Sequence, residues 1–388
     1  MIKPRLISVP FVKAKFGGVE FGLTDKKNSY TGILASDFIT GLNVKKYGSG
    51  AVNTYTLSLK YAVTPGSDPN YIDLIISRAN DRKISFTYGD LSEPSYSYKD
   101  EEALITSVVP SVDYNKGVIS YTITATSSSA LSYSLKRSYE GRNDKPSNVI
   151  LEVLYDPNSG LLDIFKGMLN KDTVLGNKWI PVTDSVVKIA EKRDISPMDY
   201  ILYLVSLMKS DSGNYHSLRV IDGGEGGQLP YFIIVSTANK DESQMMYISI
   251  GYPGSIPIYD FTIQQNSSTA LMVEYRDEVD SGIYNDYSFT GDLKELDYYS
   301  DQVVGGTPSE GLKTWWKKME IFPLSATLRT DGLYLPAELV QSVYLDIYFF
   351  GKRYNNSGEY IITSQEDSIT SGGYFTTLGL MRIDNVQG

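Results

Sequence analysis

Strict alternation of apolar and polar residues is the dominant pattern in this chain. In Asn53–Tyr61, Tyr55, Leu57, Leu59 and Tyr61 fall on one side, with Thr54, Thr56, Ser58 and Lys60 on the other. That is the period-two signature of a half-buried strand. Val118–Ala125 repeats it, with Ile119, Tyr121 and Ile123 opposite Ser120, Thr122 and Thr124. Breakers separate such runs at Gly48-Ser49-Gly50, Thr64-Pro65-Gly66-Ser67, Gly89-Asp90 and Asn115-Lys116-Gly117. Short strands at this spacing predict a sandwich or barrel. Residues 1–145 therefore read almost wholly as strands around a core of Tyr55, Leu57, Leu59, Ile119, Tyr121 and Ile123. The polar run Glu140-Gly141-Arg142-Asn143-Asp144-Lys145-Pro146 is expected to mark a boundary, beyond which the period changes. Ser159–Asn170 fits one short helix with Leu161, Leu162, Phe165 and Met168 along a face. Pro197–Ser210 fits a better one: Ser196 is a natural N-cap, Pro197 suits the first helical position, and Asp199 sits where it can complete a capping box. Its predicted buried stripe is Met198, Ile201, Leu202, Val205 and Met208, ordinary core rather than a cofactor contact. Leu229–Val235 reads as a strand.

The end of the chain carries a second β pattern. In Ser357–Ile383, Tyr360 and Ile362 share a face of one strand. In the next strand Phe375, Thr377, Gly379, Met381 and Ile383 alternate with Tyr374, Thr376, Leu378 and Leu380. The connection Gln365–Gly373 reads as a polar, Gly-ended loop, so the whole is a predicted hairpin. Upstream, Thr314–Phe350 reads as a short helix with the pair Trp315-Trp316, a strand, a turn, a Leu-Pro step and another strand. Leu345, Ile347, Leu378 and Leu380 are the expected core of this part.

The strand "G-x-Y-x-(apolar)-T", the polar loop and the strand "G-Y-x-T-x-L-x-L-x-R", in that order after Thr314–Phe350, resemble the end of the baseplate hub proteins of contractile-tailed phages and the related spike-base proteins of contractile injection systems. The resemblance implies a mainly β fold: two tube-like antiparallel β-barrels with an inserted mixed α/β domain. Residues 1–145 are then the first barrel, 146–310 the insertion plus part of the second barrel, and 311–388 the helix and remaining strands of the second barrel. It implies a non-enzymatic virion protein of the tail baseplate, assembled in the host cytoplasm. Such a hub is a homotrimeric adaptor between the hexameric tail tube protein and the trimeric central spike protein, among other baseplate proteins, and DNA passes its channel without specific binding. The chain departs from several relatives at Glu366-Asp367, where they place a histidine. The alternative of another class is a glycan-binding or cell-wall-degrading tail component.

Composition narrows the chemistry. The 388 residues suffice for two or three domains, each with a real core. There is no cysteine and one histidine, so disulfides, thiolate nucleophiles and Cys/His metal sites are excluded by inventory. The N-terminal stretch MIKPRLISVPFVKAKF has no continuous apolar core of the signal-peptide kind, so retention inside the producing cell is expected. The longest nearly apolar runs, Tyr200–Met208 and Val343–Phe350, are too short for a membrane segment. A formal charge of −10, from 46 acidic and 36 basic residues, argues against a surface that grips nucleic acid, and it suits a neutral to acidic conduit. The 31 tyrosines, against 13 Phe and 3 Trp, favour strands with half-exposed aromatic faces or extensive subunit contact.

No candidate constellation fixes a catalytic, cofactor or metal residue. Asp222-Gly223-Gly224-Glu225-Gly226-Gly227 lacks the Lys-Ser/Thr of a phosphate loop and reads as a flexible hairpin loop. Glu274, Asp277, Glu278, Asp280 and Asp286 lack calcium-loop spacing and read as a solvated acidic edge. His216 reads as a surface residue of a polar loop. There is no Gly-x-Ser-x-Gly elbow, and no signature fixes a glycosidase carboxylate pair. In Trp315-Trp316-Lys317-Lys318, one Trp is expected to pack inward while the basic pair caps the helix dipole.

Overall fold

The alternating segments join edge to edge, because each buries one face and needs partners for its backbone groups. The computed structural model describes residues 2–22, 38–47, 52–79, 82–183, 185–208, 216–222, 230–236, 243, 245–252, 255–265, 273–278, 284–289, 324–336, 340 and 342–382. The first strands are β1 (Pro10–Phe16), β2 (Val19–Gly22), β3 (Ile39–Lys46), β4 (Thr54–Ala62), β5 (Lys83–Asp90), β6 (Ser97–Asp113) and β7 (Val118–Ser127). Next come short strands and helices: β8 (Arg137–Tyr139), β9 (Arg142–Asp144), α2 (Pro146–Tyr155), α3 (Leu161–Ile164), α4 (Lys171–Gly176), β10 (Val187–Ile189), β11 (Lys192–Ile195) and α5 (Pro197–Leu207). A helix within the first part, α1 (Tyr71–Ser77), precedes these in the chain. The remainder is β12 (His216–Ile221), β13 (Tyr231–Ser236), β14 (Met245–Ile250), β15 (Ile258–Gln265), β16 (Val273–Glu278), β17 (Tyr284–Phe289), β18 (Leu324–Asp331), β19 (Ser342–Phe349), β20 (Lys352–Arg353), β21 (Gly358–Thr370) and β22 (Gly373–Arg382).

The fold is mainly β, with large antiparallel pairings and some helices. One 14-stranded sheet runs in the order β15-β18-β22-β21-β3-β4-β7-β6-β5-β1-β2, with β14, β19 and β20 joined through β21. It serves two cores. Tyr55, Leu57, Leu59, Tyr121 and Ile123 are buried in the first as expected, and Ile119 is half-buried at its margin. Leu345, Ile347, Leu378 and Leu380 are buried in the second. A third core gathers the helices with β12 and β13.

β21 changes partner part-way along. Gly358–Ile361 pairs with β19, and Gln365–Thr370 pairs with β3. Between them its register with β22 shifts at Ile362/Ser364. The bulge needs room, and Gly379 on β22 provides it: a Cβ there would lie 2.3 Å from Ser364 Oγ. One strand therefore closes the second core with its first half and extends the first sheet with its second. This corrects the expected polar loop at Gln365–Gly373. Strand pairing continues to Thr370, and Gln365, Asp367 and Ile369 point inward while Glu366 and Ser368 are half-exposed.

Three other expectations change. The predicted helix at Ser159–Asn170 is broken into α3 and a 3₁₀ turn, Lys166–Met168. Phe165 leaves helical geometry to pack edge-on against Phe232 at 5.2 Å, and Gly167 N–H donates to Pro230 O at 3.0 Å, so tertiary contacts override a weak propensity. α1 lies in a part read as strands, where Ile72 and Ile75 bury one short helical face. α5 starts at Pro197 as predicted, with Ser196 Oγ accepting from Asp199 N at 3.0 Å and donating to its carboxylate at 2.6 Å. It ends at Leu207, and Tyr200, Leu204 and Leu207 join the buried Met198, Ile201, Val205 and Met208, with Leu202 at the margin. The Trp315-Trp316 segment lies outside the described residues.

Gly332 sits against the ring of Tyr374, where an added Cβ would come within 2.5 Å of Cγ, and its N–H donates to Tyr374 O at 2.7 Å. Tyr374 is buried, so its ring has no solvent to move into. Gly332→Ala is expected to cost roughly 1–3 kcal/mol by overpacking. Urea unfolding checks this, and an unchanged midpoint would contradict the tight packing.

Candidate functional site

The three cores meet at a cluster of buried charge, assembled by residues that continue the inward registers of their strands. On β3, Leu42 and Val44 are followed at the same spacing by Lys46; on β6, Ile105 and Ala103 lead back to Glu101. On β21, Asp367 is in phase with Ile369, and after β12, Asp222 is in phase with Leu218 and Val220. Period two sends each inward regardless of its polarity. Lys46, Glu101, Asp222 and Asp367 are all buried, none more than 4% exposed.

Lys46 Nζ lies 2.5 Å from Glu101 Oε1 and 3.7 Å from the ring centroid of Tyr98. Glu101 Oε2 also accepts from Tyr88 at 3.0 Å and lies 3.1 Å from Tyr55 Oη. On the side of the third core, Asp222 Oδ2 is 2.6 Å from Asn53 Nδ2 and 2.9 Å from the same Tyr55 Oη. Asn53 Nδ2 also reaches Val220 O at 3.3 Å. On the second-core side, Thr376 Oγ1 donates to Asp367 Oδ1 at 2.8 Å and Gln365 Nε2 donates to Asp367 Oδ2 at 2.7 Å. Gln365 and Leu335 N–H both donate to Tyr98 Oη. Arg219 is a second tie from β12: its guanidinium donates to Val340 O at 3.1 Å and Ile362 O at 3.0 Å, and stands over Tyr47. Tyr47 itself packs against both the third core and the second core.

Among the described residues, one ammonium therefore faces three carboxyl groups in a buried site. Burial, reinforced by the charge of Glu101, pushes the Asp222 carboxyl up to about 7 against the hydrogen bonds of Asn53 and Tyr55 and the pull of Lys46. Burial pushes Asp367 up to about 6, opposed by Lys46, Thr376 and Gln365 and assisted by Glu101. The sign for stability follows: a carboxyl with a raised folded pKa holds its proton more tightly when folded. Its contribution is full below the ordinary carboxylate pKa of about 4 and is lost as pH rises toward 7. For Asp222 this is worth roughly 4 kcal/mol between the two limits. The arrangement can hold protons and bind the cores together. Among the described residues, no group of His, Asp and Glu has the geometry to hold a metal ion.

Of the residues singled out in the sequence, Asp222 at the start of the glycine-rich loop and Asp367 of the Glu366-Asp367 pair enter this cluster among the described residues. Asp222 is a buried anchor rather than part of a flexible loop, while 223–229 lie outside the described residues. His216 begins β12, half-buried and paired opposite Ser236, rather than standing in a polar loop. Glu274, Asp277, Glu278 and Asp286 lie on the β16–β17 hairpin, whose side chains, like Asp280, are outside the described residues. Among the tyrosines, Tyr55 and Tyr121 are core residues as expected, Tyr88, Tyr98, Tyr360 and Tyr374 join them, and Tyr114, Tyr252, Tyr259 and Tyr354 stand exposed. Where a core must carry a polar atom to a buried charge, tyrosine supplies apolar area and a hydroxyl together.

Replacing Lys46 with Met removes the cation and strands the carboxyl groups, with an expected loss of about 3–5 kcal/mol. Adding Glu101→Gln should restore part of it. Denaturant titration of both variants checks the pair, and a Lys46→Met chain as stable as the parent would contradict the role given to Lys46.

No family model matches the chain, and no curated protein matches it in sequence. Solved structures do. The tail protein from Neisseria meningitidis MC58 superposes with a TM-score of 0.54 at 9% identity, covering 97% of each chain. The 43 kDa tail protein of prophage MuSo2 from Shewanella oneidensis gives 0.52 at 12% identity, over 96% of this chain and 98% of that one. A chain of the Francisella PdpA–VgrG complex gives 0.51 at 10% identity, over 98% of this chain and 53% of that one. At such identities the likeness is one of backbone, and the fold of this chain is the fold of those tail proteins.

Proposed function

We propose that this chain is a structural, non-catalytic component of a contractile tail or injector, the hub that joins a hexameric tube to a trimeric spike. The observation that carries the reading is the end-to-end superposition on tail proteins of the same length. Two sheet-lined cores in one chain give the reading its geometry. If each core is a tube-like module, three chains present six modules in a ring, so a homotrimer meets a sixfold tube on one face and a threefold spike on the other. In this division residues 1–145 form the first module, 146–310 the insertion with strands of the second, and 311–388 the rest of the second. The sheet-facing Thr, Ser, Asp and Glu positions would give DNA a neutral to acidic channel that does not hold it. The place of such a protein is the tail baseplate of a virion, assembled in the host cytoplasm with tube, spike and other baseplate proteins.

An exposed aromatic turn supports a role in assembly. Phe350 is 106% exposed in a left-handed conformation, φ 49°, which a phenylalanine adopts only at a cost. Phe349 and Tyr354 of the same turn are exposed with rings 5.3 Å apart, and the exposed Tyr252 lies 5.4 Å from the Tyr348 ring. Apolar area that folding leaves in water is area available to a neighbouring chain. Light scattering of the purified protein at micromolar concentration is expected to report three chains. A monomer, both alone and when recovered from a purified tail assembly, would overturn the hub reading.

A further inference from the structure

We propose that Asp222 is a proton-operated latch, which holds the insertion core on the sheet while its carboxyl is protonated and loosens it when the proton leaves. This inference is independent of the tail reading.

The case begins with a count of hydrogens. Tyr55 has one hydroxyl hydrogen, yet two carboxyl oxygens lie within hydrogen-bond distance of its Oη: Glu101 Oε2 at 3.1 Å and Asp222 Oδ2 at 2.9 Å. Glu101 is already paired with Lys46 and accepts from Tyr88. When Tyr55 gives its hydrogen to Glu101, its contact with Asp222 needs a second hydrogen, and a protonated Asp222 supplies it. Asp222 Oδ2 then donates to the phenol while accepting from Asn53. Without that proton, Glu101 and Asp222 face one another across a single phenol in a site without water-exposed surface. Asp222 Oδ1 is buried with no hydrogen-bond partner among the described residues. An anionic oxygen in that position is far more costly than a neutral one.

Position makes the proton count matter for the fold. Among the described residues of the cluster, Asp222 is the carboxyl that belongs to the insertion; Lys46, Glu101 and Asp367 stand on the large sheet. The groups facing Asp222 are Glu101 from β6, Lys46 from β3, Tyr55 from β4 and Asn53 just before β4. Of these only Lys46 opposes a negative charge by charge of its own, and it is paired to Glu101. Arg219 ties the same strand to the carbonyls of Val340 and Ile362 with bonds that do not titrate in this range. Losing the Asp222 proton thus loosens the end of β12 where Asp222 meets Tyr55 and Glu101, not the whole chain, and the Asn53 amide, which still donates to the carboxylate, limits the opening. Local opening that releases one proton should grow about tenfold per pH unit between the open-state and closed-state pKa values, near pH 4 and pH 7, and level off above.

Hydrogen exchange of the full chain tests this, with rates corrected for the intrinsic pH dependence of amide exchange. Protection of amides in β12 is expected to fall about tenfold per pH unit from pH 5 to pH 7 and then level, while β18 serves as internal control. In Asp222→Asn, whose amide can still donate to Tyr55, β12 protection should stay flat with pH. Infrared spectra of the unmutated protein provide a second readout, in which a protonated carboxyl band should persist to near neutral pH and vanish above it. Equal pH dependence in β12 and β18, the same fall in the Asn variant, or loss of every protonated carboxyl band by pH 5.5 would each overturn the latch.

Discussion

The pairing of Lys46 with Glu101 is the interaction on which the rest of the structure depends. A buried ammonium is tolerated only when its charge is met and its hydrogens are placed, and here a carboxylate at 2.5 Å and two tyrosine rings do both. The site is not efficient in isolation, since a well-packed apolar core of equal volume could be as stable. What it contributes is specificity. Lys46 and Glu101 come from strands that line the first core, Asp367 and Thr376 from the strands that also close the second core, and Asp222 from the end of β12 in the third, so the charges match only when all three parts are in register.

β21 provides the mechanical counterpart. Because it pairs with β19 at one end and β3 at the other, the two sheet-lined cores share a backbone ladder rather than merely touching. Slipping β21 by one residue would turn Gln365, Asp367 and Ile369 outward and bring Glu366 and Ser368 in. The bulge at Ile362/Ser364, with Gly379 opposite, fixes where the strand turns from one partner to the other.

Much of this fold was legible in the sequence, and the part that was not has a common cause. Alternation gave β4, β7 and β22 and their buried residues, and the Ser196-Pro197 start gave α5. The hinge of the architecture was misread because Gln365–Gly373 looks polar. Its inward positions carry Gln and Asp where a core strand ordinarily carries Val or Ile, so a hydrophobicity pattern sees a loop. Lys46, Glu101 and Asp222 were missed in the same way. The signal was present, since each extends an inward register by one more step: Leu42, Val44, Lys46; Ile105, Ala103, Glu101; Leu218, Val220, Asp222. A single charged residue at such a position reads as the end of a strand. One cation and two carboxyl groups from separate segments make a buried cluster, but no local window contains them together.

The central claim is that this cluster makes three cores into one cooperative unit when its carboxyl groups hold their protons. Scanning calorimetry at pH 5.5 measures that directly. The account predicts a single transition whose van't Hoff enthalpy equals the calorimetric enthalpy. Two or more resolved transitions at that pH, with any one of the three cores melting separately, would contradict it.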